Sequence, residues 1–435
     1  MGGGSGRSIS GNDTVKPVAL QRQSSDQGAT LAFSQHRRKP LFWKRSPRFR
    51  WRLGLFLVGV WLVGLLALPW GAIGSSPAAA TPTELRGVWL TNIDSPVLFS
   101  QRNLHNALER LDRLNFNTIY PTVWNWGYTL YPSEVAAPIV GRSQLPDSGF
   151  RGRDALAETI EKGHELGMAV IPWFEFGLMA PAYSELVQRH PDWVTRRRDG
   201  SEIVMEGRFP RVWLNPAHPE VQDFILALVQ EIVTRYDVDG LQLDDHFGMP
   251  VELGYDPYTV ALYRQTHQGQ SPPSNPRDSE WMRWRAAHVS RLMERVFETV
   301  KQAKPRAVVS LSPNVRNFSY NNFLQDWSTW ERAGYVEELI VQIYRDNLDS
   351  FQRELNQPDL QAAREHIPVS IGILAGLRQQ LNDERLIQQK VDVVRDRQFA
   401  GVSFFFYETL DRRDGLLETL FPDPAPRPHL PDLQD

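Results

Sequence analysis

From Glu84 onward, short apolar runs alternate with longer segments in which apolar residues recur every three to four positions. The short runs predict β-strands, and the periodic segments predict helices that bury one face. The predicted strands are Leu85–Asn92, Asn117–Trp124, Met168–Glu175, Val238–Asp245, Ala307–Asn314, Glu338–Arg345, Ile367–Leu374 and Gly401–Glu408. The clearest predicted helices are Leu104–Leu114, Asp154–Leu166, Pro219–Tyr236, Glu280–Lys304 and Asp383–Arg397. Eight strands joined by helical crossovers predict an α/β fold, a TIM (β/α)8 barrel over residues 84–421.

Local signals support these boundaries. Asp154 and Asp383 stand where helix N-caps are expected, and Gly167 stands where a helix C-cap is expected. A doubly wound open sheet is the alternative fold, but eight strands in one run without a Gly-rich nucleotide turn favour the closed barrel. Two predicted connections are unusually long, 125–153 after strand 2 and 246–278 after strand 4. Both leave the C-terminal ends of the strands, where loops of a barrel build binding sites.

The chain before residue 84 divides into three segments by composition. Residues 1–52 are polar and end in a cluster of basic residues, which predicts a disordered cytoplasmic N-terminus. Residues 53–73 are apolar and long enough to span a bilayer, and the basic cluster before them favours a cytoplasmic N-terminus. They predict a single transmembrane anchor or signal segment, followed by a linker over residues 74–83. Small residues at Ser75–Ala80 would also allow signal cleavage.

Both interpretations of the apolar segment predict a domain outside the cytoplasm, in the periplasm or cell envelope. The preferred one is a membrane anchor through residues 53–73, and the other is a cleaved, secreted form. At the opposite end of the chain, residues 422–435 are rich in Pro and predict an irregular tail.

Composition narrows the chemistry of the predicted barrel. The net charge of −3 gives no indication of a nucleic-acid partner. The absence of Cys excludes disulfides, a Cys-ligated metal and a thiol nucleophile. The sequence contains no Gly-x-Ser-x-Gly elbow and therefore does not indicate a serine hydrolase. No second cluster of metal ligands accompanies His246, so neither a metal nor a cofactor is predicted. Fourteen Trp residues favour a sugar as substrate, because flat aromatic rings suit the C–H faces of pyranoses.

The end of the fourth strand carries the strongest candidate for catalysis. Side chains alternate along a strand, and Leu241 and Leu243 suit the layer that faces the helices. Gln242 and Asp244 therefore face the barrel interior. A carboxylate at the C-terminal end of a barrel strand is typical of catalysis, although an ion pair or a helix cap would also place an Asp there. Asp245 lies just beyond the strand, and the sequence is equally compatible with a capping role and a functional role for it.

Cleavage of a glycosidic bond normally needs two carboxyl groups, and the sequence leaves the partner of Asp244 open. Glu175 at the end of strand 3 ranks first, Asp245 second, and Glu408 at the end of strand 8 third. In a second mechanism, Asp244 and Asp245 act as a pair on an N-acetylated sugar, whose acetamido group replaces the enzyme nucleophile. That mechanism leaves no role for Glu175.

Aromatic and polar residues near the strand ends complete the predicted substrate site. Trp124 and Trp126 are the best candidates for sugar stacking because they open the long loop after strand 2, with core packing as the alternative. Arg86 is either a substrate-binding residue or a buried counter-ion of Asp244. The remaining predicted substrate-binding residues are Trp89, Asn92, Trp173, Gln242, His246, Asn314, Gln342 and Tyr344.

Several of these motifs together resemble the glycosyl hydrolase-like 10 domain family. The segments that carry the resemblance are Glu84–Asn92, Glu161–Phe174, Trp213–Pro216, Tyr236–Asp245, Ser310–Pro313 and Gln342–Tyr344. The resemblance runs from Glu84 to Glu408 and implies a TIM barrel, related to carbohydrate-cleaving enzymes, that acts on glycans of the cell envelope. Strand 3 ends in Glu175, where the family more often has an amide.

We therefore predict an exported glycoside hydrolase that cuts an envelope polysaccharide, with peptidoglycan glycan strands as the first candidate. The alternatives are a substrate-assisted hydrolase of N-acetylated sugars and a non-catalytic glycan-binding barrel. Both the enzyme and the binding module explain the Trp residues and the anchor. Only an enzyme explains acids clustered at strand ends.

Overall fold

The computed structural model describes residues 83–377 and 380–428. Its main sheet consists of parallel strands that follow one another along the chain: β1 (Leu85–Leu90), β2 (Thr118–Pro121), β3 (Ala169–Val170 and Trp173–Phe174), β4 (Gly240–Asp244), β5 (Val308–Ser312), β6 (Glu338–Gln342), β7 (Val369–Leu374) and β8 (Gly401–Phe405). Each strand pairs with the next, and β8 pairs with β1. The first segment of β3 pairs with β2 and the second with β4. The result is a curled parallel sheet of the TIM-like type.

Helices connect these strands. In the described residues they are α1 (Gln101–Arg113), α2 (Ala136–Val140), α3 (Ala155–Glu165), α4 (Glu185–Arg189), α5 (Pro219–Arg235), α6 (Pro257–Thr266), α7 (Ser279–Ala303), α8 (Arg316–Phe323), α9 (Trp327–Arg332), α10 (Leu348–Leu355), α11 (Pro358–Ala363), α12 (Glu384–Asp396) and α13 (Asp414–Leu420). Asp154 and Asp383 cap α3 and α12 as predicted, by accepting hydrogen bonds from backbone N–H groups. Gly167 follows α3 with φ of 71°, the conformation that favours Gly at this position. The alternation of strand and helix periods thus predicts the α/β class.

Strand side chains alternate between two apolar layers. Val88, Leu90, Leu241 and Leu243 face outward and pack under the helices. The inward side chains form a separate interior cluster of Leu85, Trp89, Tyr120, Ile171, Trp173 and Ile340. This alternation determines which strand residues reach the interior and, at the strand ends, the candidate site.

The described part of the tail, residues 422–428, closes the N-terminal end of the strands. The carbonyl of Pro426 accepts a hydrogen bond from the backbone N–H of Glu84 at 3.0 Å. The Arg427 guanidinium forms a salt bridge with the buried Glu338 of β6 and donates to Thr118 Oγ1 at 3.2 Å. Residues 422–428 have no helix or strand, and Arg427 supplies the counter-ion of a carboxylate inside the sheet.

Long connections leave the C-terminal ends of three strands, and sequence patterns indicated two of them. The loop over residues 125–153 carries α2, and the loop after β4 carries α6. The third, residues 176–218 between β3 and α5, is here called the β3–α5 insert. It contains α4 and a three-stranded antiparallel sheet of Met179–Pro181, Val204–Glu206 and Phe209–Trp213. These strands of three to five residues are too short for an alternating pattern to identify them.

The predicted N-terminal region (residues 1–52), the transmembrane or signal segment (53–73) and all of the linker but Thr83 lie outside the described residues. Within residues 83–377 and 380–428, no helix has the length and apolar character needed to cross a membrane. Membrane anchoring through residues 53–73 therefore stays a prediction.

Candidate active site

Glu175 and Asp244 lie beside each other at the C-terminal ends of β3 and β4. Across these strands Gln242 pairs with Trp173 and Leu243 with Phe174, so the next residues in register are Asp244 and Glu175. Side-chain alternation directs both carboxyl groups to the inner face, and neighbouring strands lie about 4.8 Å apart. Both residues are buried, with exposed fractions of 2% for Asp244 and 5% for Glu175. The fold therefore brings together the first-ranked pair of predicted acids.

Glu175 is surrounded by hydrogen-bond donors from the two preceding strand ends. Its Oε2 accepts from Thr91 Oγ1 at 2.8 Å, from Thr122 Oγ1 at 2.9 Å and from Asn125 Nδ2 at 2.7 Å. Burial raises the pKa of Glu175 to about 7, and these donors work against that rise. Because they stabilise the charged form, Glu175 is suited to act as a carboxylate near neutral pH.

Asp244 has fewer donors. Its Oδ1 accepts from the backbone N–H of His246 at 2.9 Å, and its backbone carbonyl accepts from Gln325 Nε2 at 2.7 Å. Burial raises the pKa of Asp244 to about 8; His246 opposes this rise, and the neighbouring Asp245 adds to it. Asp244, with the higher pKa, is therefore the better suited of the two to hold a proton at neutral pH.

Asp245 is held by amide groups from β5 and β6. Its Oδ2 accepts from Asn314 Nδ2 at 2.7 Å and its Oδ1 from Gln342 Nε2 at 3.3 Å. Tyr344 faces the same acids: burial, then the charges of Asp245, Asp244 and Glu175, raise the pKa of its phenol well above the usual range. The ends of four successive strands, β3 to β6, thus contribute to one polar cluster.

His246 is the cation of this cluster. Its Nδ1 lies 2.9 Å from the backbone oxygen of Glu175, and its Nε2 lies 3.1 Å from Oε1 of Glu206. A carbonyl and a carboxylate accept only, so both ring nitrogens carry a proton. Nδ1 also lies 3.4 Å from Asp244 Oδ1 and 3.6 Å from Asp245 Oδ1. Burial disfavours the charge, but Asp245, Asp244 and Glu206 raise the pKa of His246 well above its usual value.

Asp244, Asp245 and His246 also offer three potential metal-ligand atoms within 4.8 Å of one another. A ligating imidazole needs a nitrogen lone pair. Both nitrogens of His246 are already directed at acceptors, one on Glu175 and one on Glu206. This donor pattern favours an ion-pair cluster over a metal centre.

Three residues predicted to bind substrate are part of the core instead. Trp124 is 1% exposed and packs edge-on against Phe224 of α5, with ring centroids 5.5 Å apart. Trp89 is also buried, and its Nε1 donates to Gln242 Oε1 at 2.7 Å. Gln242 in turn donates to Ser310 at 2.9 Å. Trp89 and Gln242 form the floor beneath the acids, because they lie inside the sheet below the strand ends.

Two other predicted binding residues, Trp173 and Asn92, have side-chain donors without a described partner, and Trp126 lies in a loop. Trp173 is buried, and its indole Nε1 has no hydrogen-bond partner within the described part of the chain. Asn92 accepts from Asn125 at 2.9 Å, and its own Nδ2 has no partner there either. Trp126 is half-buried in the turn of the hairpin Trp124–Thr129. A buried donor without a partner is costly, so both N–H groups are unsatisfied donors enclosed near the carboxyl cluster.

Arg86 and Glu408 lie elsewhere. Arg86 donates to Glu84 at 2.8 Å, and its guanidinium stacks 4.7 Å from the ring centroid of Phe421. The prediction that it pairs with Asp244 is wrong, because Arg86 is near the start of β1 and faces outward with Val88 and Leu90. Glu408 lies in the 3-10 helix Tyr407–Leu410 and accepts a hydrogen bond from Ser95, outside the carboxyl cluster of β3 and β4.

Sequence reasoning missed several residues of the cluster. Thr91 and Thr122 directly follow β1 and β2, and this strand-end position was the signal that could have indicated them. Asn125 follows closely after β2. Glu206, which contacts His246, and Arg211, which forms a salt bridge with Glu206 at 3.0 Å, come from the β3–α5 insert, and no pattern in the sequence connects them with His246.

A curled parallel sheet with buried carboxyl groups gathered at its strand ends is an arrangement that glycoside hydrolases of the TIM-like class use. The model of the family described as Glycosyl hydrolase-like 10 matches residues 84–393, and the chain belongs to this family. This confirms the suspected family and the enzyme class, glycoside hydrolase.

Named relatives agree with this assignment, and a solved structure agrees with the fold. Glycosyl hydrolase DigH of Escherichia coli (strain K12) is 28% identical over 340 residues, which cover 62% of this chain and 68% of DigH. Glycosyl hydrolase YngK of Bacillus subtilis (strain 168) is 25% identical over 303 residues, which cover 61% of this chain and 55% of YngK. The glycoside hydrolase domain of PgaB (BpsB) from Bordetella bronchiseptica superposes with a TM-score of 0.56 at 14% identity, covering 78% of this chain and 99% of that domain. The last similarity concerns the fold alone.

Proposed function

We propose that this protein hydrolyses glycan strands of the cell envelope, peptidoglycan strands first among them, at the C-terminal face of a (β/α)8 barrel. The observation that carries the proposal is the in-register pair of buried carboxyl groups, Glu175 and Asp244. A binding module gains nothing from two buried acids, because burying each one costs free energy. The envelope substrate is supported by the predicted export of the domain and by the family resemblance.

The environments of the two acids divide the roles between them. Glu175, with three donors on Oε2, is the carboxylate that attacks the anomeric carbon. Asp244, with the higher pKa, gives its proton to the leaving oxygen and later takes a proton from the water that releases the sugar. Retaining enzymes hold their two carboxyl groups about 5–5.5 Å apart, and side chains at adjacent, in-register strand ends are compatible with that separation. The proposed reaction therefore retains the anomeric configuration.

A second mechanism has specific support in Asp245. Two amide donors hold this carboxylate next to Asp244, and Tyr344 faces both acids. On an N-acetylated sugar, Asp245 would orient the acetamido N–H while the acetamido oxygen attacks the anomeric carbon and Asp244 acts as the acid. In this mechanism Glu175 does not react.

Release of reducing ends from purified, peptide-free glycan strands tests the proposal. Asp244→Asn should lower turnover by at least about 10²–10⁴-fold in both mechanisms. Glu175→Gln should lower it as much only if Glu175 is the nucleophile, and Asp245→Asn only if the acetamido group attacks. Glu408→Gln is the control carboxyl outside the cluster and should keep most of the activity.

Circular dichroism and thermal unfolding establish that each variant is folded, and binding to the strands should persist in Asp244→Asn. Unchanged turnover in Asp244→Asn would remove this residue from catalysis. A wild-type protein that binds several envelope glycans but cleaves none would favour the binding module.

A further inference from the structure

The β3–α5 insert turns one face of its small sheet toward the acids. Arg211 pairs with Val204 across the sheet, and Glu206 pairs with Phe209, so Glu206 and Arg211 project from the same face. Glu206 reaches His246, which immediately follows the two acids of β4. The insert therefore supplies an anion to a site whose carboxyl groups otherwise come from strand ends.

We propose that Glu206 is a positioning residue, which holds His246 in its charged form and fixes it against Glu175 and Asp244. The inference rests on the proposed function, because it assigns the effect of Glu206 to the two carboxyl groups that act on the substrate. It adds to that function a residue of the insert that controls the charge next to the two acids.

Glu206 is itself firmly held. Its Oε1 accepts from His246 Nε2 at 3.1 Å, and its Oε2 accepts from Arg211 Nε at 3.0 Å. Arg211 is 6% exposed, and its guanidinium lies 4.9 Å from the ring centroid of Phe176. Burial works against ionisation, but His246 and then Arg211 lower the pKa of Glu206 to about 2. Glu206 is thus an anion throughout the working pH range.

His246 transmits this charge to the acids. The imidazole is faced by Asp244 and Asp245 of its own segment, by the Glu175 carbonyl at the end of β3, and by Glu206 of the insert. Arg211, which pairs with Glu206, is the neighbouring cation. The positive charge of His246 lowers the pKa of both Glu175 and Asp244, against the larger effect of burial. Loss of that charge should therefore make both acids hold their protons to higher pH.

The Glu206→Gln variant distinguishes an effect that acts through His246 from a direct electrostatic effect of the Glu206 carboxylate on Glu175 and Asp244. Glutamine can still accept a hydrogen bond from His246 Nε2, so the contact survives while the negative charge is lost. If Glu206 acts through His246, the pKa of the imidazole falls, its charge is lost at lower pH, and the acid limb of kcat/KM moves to higher pH. If His246 keeps its charge, only a negative charge has been removed, and the same limb moves to lower pH.

The first measurement is the pH profile of kcat/KM on glycan strands. The second is an NMR titration of the histidines in the full-length protein, in which the His246 signal is assigned by its absence from the spectrum of His246→Asn. We expect the acid limb of Glu206→Gln to rise by on the order of one pH unit, and the pKa of His246 to fall. Glu202→Gln is the matched control, because it removes another carboxylate of the insert, which pairs with Arg196 at 2.9 Å. It should leave both quantities unchanged.

A downward or absent shift of the acid limb, or an unchanged pKa of His246 in Glu206→Gln, would overturn the proposal. Titration of the wild-type protein needs neither a variant nor a substrate, and a neutral His246 at pH 7 would overturn it as well. If the protein cleaves none of the glycans offered, the proposed function fails. The NMR titration then still decides whether Glu206 controls His246.

Discussion

Asp244→Asn should stabilise the folded protein at neutral pH while it lowers turnover by at least about 10²–10⁴-fold. The side chain is 2% exposed, and burial raises the pKa of its carboxyl from 3.8 to about 8. Between these two pH values the unfolded chain has lost the proton that the folded chain still holds. Stability therefore falls as pH rises through this window. Asparagine has nearly the same shape and cannot ionise, so it removes this cost.

The size of the effect follows from the shift. Each pKa unit corresponds to about 1.4 kcal/mol, so roughly four units give an upper limit of about 6 kcal/mol above pH 8 and about 4 kcal/mol at pH 7. Local relaxation reduces these limits. We expect a gain of about 2–4 kcal/mol in the free energy of unfolding at pH 7, and almost no gain at pH 4.

Denaturant unfolding of wild type and variant at pH 4, 6 and 8 measures this difference. Asp256→Asn is the matched control, because the carboxylate of Asp256 accepts four hydrogen bonds, from Thr195, Asn215 and the backbone and side chain of Thr259. An amide cannot accept them all, so this variant should lose about 1–3 kcal/mol. A gain in Asp244→Asn that does not depend on pH, or a loss at pH 8, would refute the reasoning.

Three further predictions concern the aromatic residues and the topology. Trp173→Phe removes a buried N–H without a described partner and should raise KM for the glycan, whereas Trp281→Phe, which removes a similar N–H in α7, should not; equal kinetics in both variants would contradict this. Trp124→Ala should cost about 3–5 kcal/mol of stability, measured by differential scanning calorimetry. Trp126→Ala should leave the protein stable by the same measurement and weaken glycan binding in a binding assay. Protease added to cells with a permeabilised outer layer should degrade the barrel and spare the first 50 residues, and a protected barrel would reverse the predicted topology.

The sequence predicts those features that depend on local periodicity. Alternation along β4 places Asp244 on the inner face, and the capping positions of Asp154 and Asp383 follow from their place before periodic apolar segments. The register of β3 and β4 then brings Glu175 beside Asp244, as expected because consecutive strands of a barrel lie next to each other. These features need only the repeat of a strand or a helix and the closure of neighbouring strands.

Other features depend on contacts that no local pattern encodes. Glu206 and His246 are 40 positions apart and meet only because a short antiparallel sheet folds back over β4. Arg86 is a different case, because the alternation applied to β4 also puts Arg86 on the outer face of β1 with Val88 and Leu90. No local pattern connects Glu206 with His246, whereas the alternation along β1 is sufficient to place Arg86 on the outer face.

The closure of the sheet by residues 422–428 has a consequence for how the domain is completed. Arg427 contacts Thr118, 309 positions earlier in the chain, and neutralises Glu338, which is buried among the interior residues of β6. Until this segment docks, the Glu338 carboxylate has the hydroxyl groups of Tyr120 and Ser310 as donors but lacks the Arg427 counter-ion. Folding of this domain therefore cannot be finished strand by strand from the N-terminus, and the high sequence separation of its closing contacts should make the final step slow.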